Sequence, residues 1–260
     1  MNAVAELAAG LCGGSEIAAL GVGTAGVVGT GGGITSATDA ISGWAGFPLR
    51  TALADAVGAE VAVLNDVHAA AVAEAAVGAA AAADSMLMVA IGTGIGGAVV
   101  FSEDGLRRGA TGTAGSLGHM DAAMREALAA RPCPCGARGH VEAAASGPAL
   151  EQTYFEETGV RVSLREIAGL GRDGDEVAAA VISEGGYLLG RVLASANALL
   201  DVDMIVIGGG VAEIGERYLE DVEASYRAAA LPGPSRARIV AAQFRVNATL
   251  TGAAINAMRN

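Results

Sequence analysis

The sequence predicts an α/β fold. Strand-like and helix-like segments alternate along its 260 residues, the pattern of largely parallel, buried sheets. Three glycine-rich turns, "GVGTAG", "IGTGIGG" and "IGGGVAE", each follow an apolar run. With 52% hydrophobic but only 3% aromatic residues, the core must be built from close-packed Ala, Val, Leu and Ile. The length supports one large domain or two modest ones.

Taken in order, residues 2–11 have helical composition and stop at the glycines of "CGG". Residues 17–28 read as a buried strand running into a glycine-rich loop, and 29–43 carry turn signals. "FPLRTALADAVG" is a helix opened by Pro48 near its N-terminus. "VAVLND" (61–66) is a short strand ending in two polar residues, and a long alanine helix follows over 67–83. "SMLMVAIGTGIGGAVVFSEDGLRRG" reads as a hairpin, with Glu103-Asp104-Gly105 turning the chain again. Helices are expected over 141–157 and 176–200. The stretch from Asp203 reads strand, glycine loop, helix; "ARIVAAQF" is a strand and "TLTGAAINAM" a closing helix. The expected domain joint lies near Ala80–Ser85, where helix gives way to hairpin.

A formal net charge of −12 argues against nucleic acid or an anionic membrane as the main partner, since either needs a basic face. Three cysteines do not make a disulfide framework. The start "MNAVAELAAGLCGG" lacks a charged n-region and a long apolar core, so no signal peptide is expected. The apolar runs are rich in Ala and Gly and are flanked by acids, so none reads as a membrane span. A cytoplasmic protein is expected.

Three features carry chemistry. Glycines let backbone N–H groups approach a phosphate closely, beyond the carboxyl ends of strands. Each turn alone also suits strand–turn packing; the three together point to a nucleotide or phosphorylated ligand. In "LND", Asp66 at a strand end can take a proton from a hydroxyl that Asn65 orients. The alternative makes Asp66 the N-cap of the helix beginning at Val67. In "ARPCPCGARGHVEAAASG", Cys133, Cys135 and His140 have metal-ligand spacing, and His119 is the nearest fourth donor. Two thiolates and two imidazoles suit tetrahedral zinc; the alternative is free thiols in a Gly/Pro turn beside unrelated histidines. His68, within an alanine helix, reads as a surface or packing residue, and Cys12 as a small buried apolar side chain.

In order, "ALGVGTAGVV", "SATDAISGWAGFPL", "VLNDVHAAAVAE", "IGTGIGGAVV", "GTAGSLGHM", "CPCGARGHVEAAASG", "IVIGGGVAE" and "NATLTGAA" resemble the ROK family of bacterial sugar kinases and sugar-responsive repressors. The resemblance spans essentially the whole chain, and its most specific part is the Cys-x-Cys-Gly block after a Gly-His. It implies an actin-like, ribonuclease-H-like fold of two α/β domains around a cleft. The small N-terminal domain would comprise 1–83 plus 246–260, and the large C-terminal domain, 84–245, would carry the zinc loop.

The resemblance further implies phosphorylation of a hexose or N-acetylhexosamine by ATP with Mg²⁺, with Asp66 as the base. Gly26, Thr38, Asp39, Asn65, Ser116, His119 and Glu142 fall at sugar-binding positions. Gly92, Thr93, Gly94, Gly96 and Gly97 match a phosphate motif, and Gly208, Gly209 and Gly210 the turn near adenosine. His119, Cys133, Cys135 and His140 would hold a structural Zn²⁺. Expected partners are a small sugar and a nucleotide, with neither nucleic acid nor membrane; homodimers are common in the family.

Several positions depart from the family pattern. The family's opening Asp-x-Gly-Gly-Thr phosphate loop is not in the sequence. Either translation begins upstream or the chain is a remnant that binds sugar without transferring phosphate. Ser116 stands where the family has a sugar-gripping Glu, Asp39 replaces the usual Asn, and His140 the last cysteine. The stretch between His119 and Cys133 is longer and more helical than usual. The tail, the "GGGVAEIGERYLE" segment and Ser116 are most similar to N-acetylmannosamine kinases.

Overall fold

A computed structural model describes residues 1–38, 41–122 and 126–259. The chain divides into two compact units, residues 1–82, 98–114 and 243–260 in the first, and 83–97 and 115–242 in the second. Segment 98–114, expected in the larger domain, packs with the first unit.

The first unit opens with α1 (Asn2–Leu11), β1 (Ala19–Thr24) and the short antiparallel pair β2 (Val27–Val28) and β3 (Ile34–Ser36). Then come α2 (Leu49–Val57), β4 (Glu60–Asn65) and α3 (Asp66–Val77). Within 17–28 the expected strand is β1, and it runs into a turn where Gly26 takes φ 94°, a left-handed conformation that a side chain resists, before β2. Strands β1 and β4 run parallel, with Ala19 opposite Glu60 and Thr24 opposite Asn65. Val61 and Val63 join Val28, Ile34, Leu49 and Leu53 in one buried cluster, each side chain contributing about 1.5–3 kcal/mol on burial.

Helix α3 is buried continuously from His68 to Glu74, so it reads as a core helix rather than an amphipathic one. It ends at Val77 before Gly78, short of the expected 83. Glu74, fully buried, accepts from the backbone N–H groups of Ala79 (2.8 Å) and Phe244 (2.7 Å). Cys12 is only partly buried, because α1 buries no residue at all.

The second unit begins with β5 (Ser85–Ile91), and β6 (Ile95–Phe101) carries the chain back to the first, where β7 (Gly105–Arg107) pairs antiparallel with it. The remaining second-unit elements are α4 (Glu126–Ala129), α5 (Glu142–Ala145), α6 (Gly147–Thr158), α7 (Leu164–Arg172), α8 (Glu176–Leu200), β8 (Met204–Gly208), α9 (Glu216–Ala229) and β9 (Arg238–Ala241). The first unit closes with α10 (Ala248–Arg259).

Strands β5, β8 and β9 form a parallel ladder, Met86 opposite Met204 and Met204 opposite Arg238. β8 is buried at every position. The single helix expected over 141–157 is two, split where Ser146 turns extended (ψ 165°) ahead of Pro148. Helix α8 is long and apolar enough to cross a membrane by composition, but 61% of its most apolar window is buried inside the unit. Gly190 lets α9 approach it; a Cβ there would lie 2.3 Å from the Val222 carbonyl oxygen.

Candidate functional site

In the first unit the candidate residues gather at the β4–α3 junction. Asn65, at φ −61° and ψ 150°, caps α3: its Oδ1 accepts from the N–H of Val67 (2.9 Å) and His68 (3.3 Å). Its Nδ2 donates to the Gly26 carbonyl at 3.0 Å. The cap is therefore Asn65, and the alternative that gave this role to Asp66 is corrected. Asp66 is the first helical residue, half-buried, with Oδ1 accepting from Val67 N–H at 2.9 Å. A carboxylate in the first helical turn also sits favourably against the helix dipole. The Thr249 hydroxyl of α10 donates to the Asp66 carbonyl at 3.2 Å, holding the junction from the other side.

His68 is buried, 5% exposed, and its Nε2 lies 3.1 Å from the Ala114 carbonyl. It is a packing residue and not a surface one. Burial holds its pKa below the usual histidine value, against the Ala114 hydrogen bond and with the help of the Arg108 charge. A carbonyl can only accept, so the neutral ring carries its proton on Nε2. Thr38 is exposed on irregular chain, and Asp39 lies outside the described residues.

In the second unit the candidate residues gather on a knuckle. Cys133 N–H donates to Ala137 O (2.8 Å), Gly136 N–H to Cys133 O (2.9 Å), and Gly139 N–H to Arg131 O (3.0 Å). Gly136 and Gly139 take φ 93° and 73° to close this turn. Asp121 and His140 form an antiparallel bridge, with Val141 N–H on Met120 O at 2.9 Å. That bridge brings His119 back to the knuckle despite the long intervening stretch.

The result is a cluster of His119, Cys133, Cys135 and His140 whose ligand atoms all lie within 4.8 Å of one another. Cys133 Sγ is 3.6 Å from His119 Nδ1, and Cys135 Sγ 3.3 Å from His140 Nδ1. Tetrahedral zinc with bonds of 2.0–2.3 Å needs donors roughly 3.3–3.8 Å apart; these two pairs have that spacing, and the set as a whole, within 4.8 Å, is compatible with the ion. Burial, foremost, pushes the Cys133 thiol up to about 11.

Glu142, at the start of α5, joins this cluster to the glycine turn after β5. Its Oε2 accepts from Ile95 N–H at 2.8 Å and its Oε1 lies 3.7 Å from Cys133 Sγ. A Cβ on Gly94 would come within 2.5 Å of Oε2. Gly97 packs on the Gly115 carbonyl, Gly209 (φ 89°) on Ile91, and Gly208 on Ala242 and Met88, while Gly92 and Gly210 face open space. The turns thus divide: Gly94, Gly97, Gly208 and Gly209 serve packing, and Gly92 and Gly210 leave the side-chain position empty, the Gly92 N–H being given to the Gly94 carbonyl at 2.8 Å. Thr93 and Ser116 are exposed, Ser116 leading into the short turn of helix that carries His119.

The sequence model described as the ROK family matches residues 1–260. The chain belongs to the ROK family. This ROK chain is 30% identical over 205 residues to a glucokinase of Halalkalibacterium halodurans, covering 73% of the chain and 61% of that protein. It is 32% identical over 222 residues to an N-acetylmannosamine kinase of Haemophilus influenzae, covering 82% and 68%. The chain thus spans less than two thirds of the glucokinase.

Among solved structures, the ROK hexokinase from Thermus thermophilus matches with TM-score 0.88 and 34% identity, over 99% of this chain and 85% of that one. A ROK family glucokinase from Streptomyces griseus in complex with glucose and AMPPNP matches with TM-score 0.83 and 31% identity, over 99% and 87%. The ROK chain therefore has the α/β architecture of these sugar-kinase structures, the actin-like ATPase fold.

Some side chains at the ROK site were not singled out from sequence. Thr249 and Arg108 act through contacts with residues far away in the chain, and no local pattern marks them. Helix α7 did have a signal: Ser163 and Glu166 form a capping box, spelled Ser-x-x-Glu.

Proposed function

We propose that this ROK chain phosphorylates a hexose or N-acetylhexosamine, with Asp66 as general base and ATP with Mg²⁺ as donor. The observation that carries the reading is the division of labour at the β4–α3 junction. Because Asn65 supplies the cap, the Asp66 carboxylate is not committed to that role and stands at a strand's carboxyl end. There it can accept the proton of an attacking hydroxyl. The second Asn65 amide hydrogen, beyond the one on Gly26, can orient that hydroxyl.

In the second unit, family likeness assigns His119, Ser116 and Glu142 to sugar hydroxyls and the turns at 92–97 and 208–210 to the nucleotide. The empty side-chain position at Gly210 suits close approach by phosphate oxygens. Mg²⁺ with ATP, when bound, would supply the phosphoryl group and neutralise its charge. Zinc on His119, Cys133, Cys135 and His140 would brace the 131–140 loop.

The test is an ADP-coupled assay of wild type and Asp66→Asn across glucose and N-acetylmannosamine. Turnover should fall by orders of magnitude in Asp66→Asn with sugar affinity kept; unchanged turnover removes the base from Asp66. Ser116, in place of a gripping carboxylate, favours the N-acetylhexosamine, and a strong preference for glucose would overturn that choice. A second reading, a sugar-binding protein without kinase activity, is also favoured by Ser116. Sugar binding by calorimetry with no ADP formed would select it.

A further inference from the structure

At the opposite end of β4 from Asp66, the first unit holds a small cavity of about 110 Å³ whose walls include Arg50, Arg108, Glu60, Thr30 and Asn256. Two guanidinium-bearing residues converge on it, and neither forms an ion pair among the described residues. Arg50 is exposed; its methylenes lie against Gly32, leaving the head group uncommitted. Arg108 is half-buried, and among the described residues its guanidinium makes one hydrogen bond, from NH2 to the Val63 carbonyl at 3.0 Å. A guanidinium has five donors, so most of what Arg108 offers is unused.

This arrangement runs against the composition. The chain has 28 Asp and Glu against 16 basic residues, so carboxylate partners are plentiful. A partly buried cation without one is costly unless another anion neutralises it. The carboxylate in the cavity wall, Glu60, is exposed at the first position of β4 and pairs with neither arginine. Burial also pulls the Arg108 pKa down, the sign of a charge short of compensation. The volume admits one tetrahedral oxyanion.

We propose that this cavity is a binding site for a phosphoryl dianion, gripped by Arg50 and Arg108. The cavity is lined by the first four residues of β4, Glu60 to Val63, and so stops two residues, roughly 7 Å at 3.3 Å per step, before Asn65. It does not depend on the kinase reading. Arg108 also holds the Val63 carbonyl, two residues before Asn65, so an anion there would act on the strand that presents Asn65.

The experiment is an amide NMR titration of the full chain with inorganic phosphate and, separately, with a hexose 6-phosphate, with sodium chloride at matched ionic strength as control. Saturable shifts at Gly32, Val61 and Ala62 are expected, with affinity at least about tenfold weaker in Arg108→Gln, the loss of a charge-assisted pair. Arg50→Gln, whose retained stem keeps the Gly32 packing, should show the same loss if Arg108→Gln folds poorly. Equal response to both ligands identifies a phosphate ester as the ligand class; response to phosphate alone identifies the free ion. No saturation at these amides, the same shifts with chloride, or undiminished affinity in Arg50→Gln overturns the site.

Discussion

The Asn65 side-chain amide donates to the Gly26 carbonyl at 3.0 Å, tying the end of β4 to the left-handed turn that follows β1. One side chain thereby caps a helix and fastens two strand ends 39 residues apart. Asn65→Ala should cost about 2 kcal/mol, a cap and one further hydrogen bond. Asn65→Asp should keep the cap but still lose the amide donor to Gly26. Urea midpoints of the two variants check both statements.

The glycine contacts of α10 can be tested as a pair. A Cβ on Gly252 would lie 1.7 Å from the Ala69 carbonyl oxygen, whereas one on Gly10, in α1, meets nothing within 4 Å. Gly252→Ala should destabilise by about 3 kcal/mol because backbone must move. Gly10→Ala should be neutral or stabilise by about 0.5–1 kcal/mol through helix propensity. Thermal unfolding of both variants is the measurement.

Zinc binding should release protons. Burial raises the Cys133 thiol to about 11, so it is protonated in the metal-free protein at neutral pH and must lose its proton to ligate. Affinity should therefore rise with pH between 6 and 8, and calorimetry in buffers of different ionisation enthalpy should count the release. Cys133→Ser should lower metal content after dialysis; full stoichiometric zinc in that variant would remove Cys133 from the ligand set.

His68 gives the chain an acid sensitivity of known sign. Its folded pKa lies below the unfolded value of about 6.5 because burial favours the neutral ring. The unfolded state then binds more protons, so stability is lost as pH falls through about 6.5 and levels off below the folded pKa. His68→Gln should show a smaller loss of urea midpoint between pH 7.5 and 5 than wild type. An identical slope would show that His68 does not contribute.

The architecture was legible because its signals are local. Alternating strand and helix segments, the glycines after β5 and β8, and soft ligands gathered between 119 and 140 can all be read within short windows. What was hidden depends on sequence-distant partners. Whether Asn65 or Asp66 caps α3 turns on Gly26, and whether Gly94 serves phosphate or packing turns on Glu142. His68 was left between a surface and a packing role because an alanine helix gives no clue that α3 is enclosed on all sides; packing is the outcome. The split after Ala145 was signalled by Pro148, one residue inside the new helix.

Glu74 sets an order of events at the ribosome. Its second carboxylate oxygen waits for the amide of Phe244, which is made 170 residues later, and Gly252, which seats α10 on α3, follows later still. At 5–20 residues per second, that interval is roughly 10–30 s. Throughout it the nascent α3 carries an acid with only its Ala79 bond made and a bare alanine surface, and the whole second unit is synthesised before either is covered. The protein is thus completed from its far end, and ribosomes that stop short of residue 243 release chains whose first unit has never been closed.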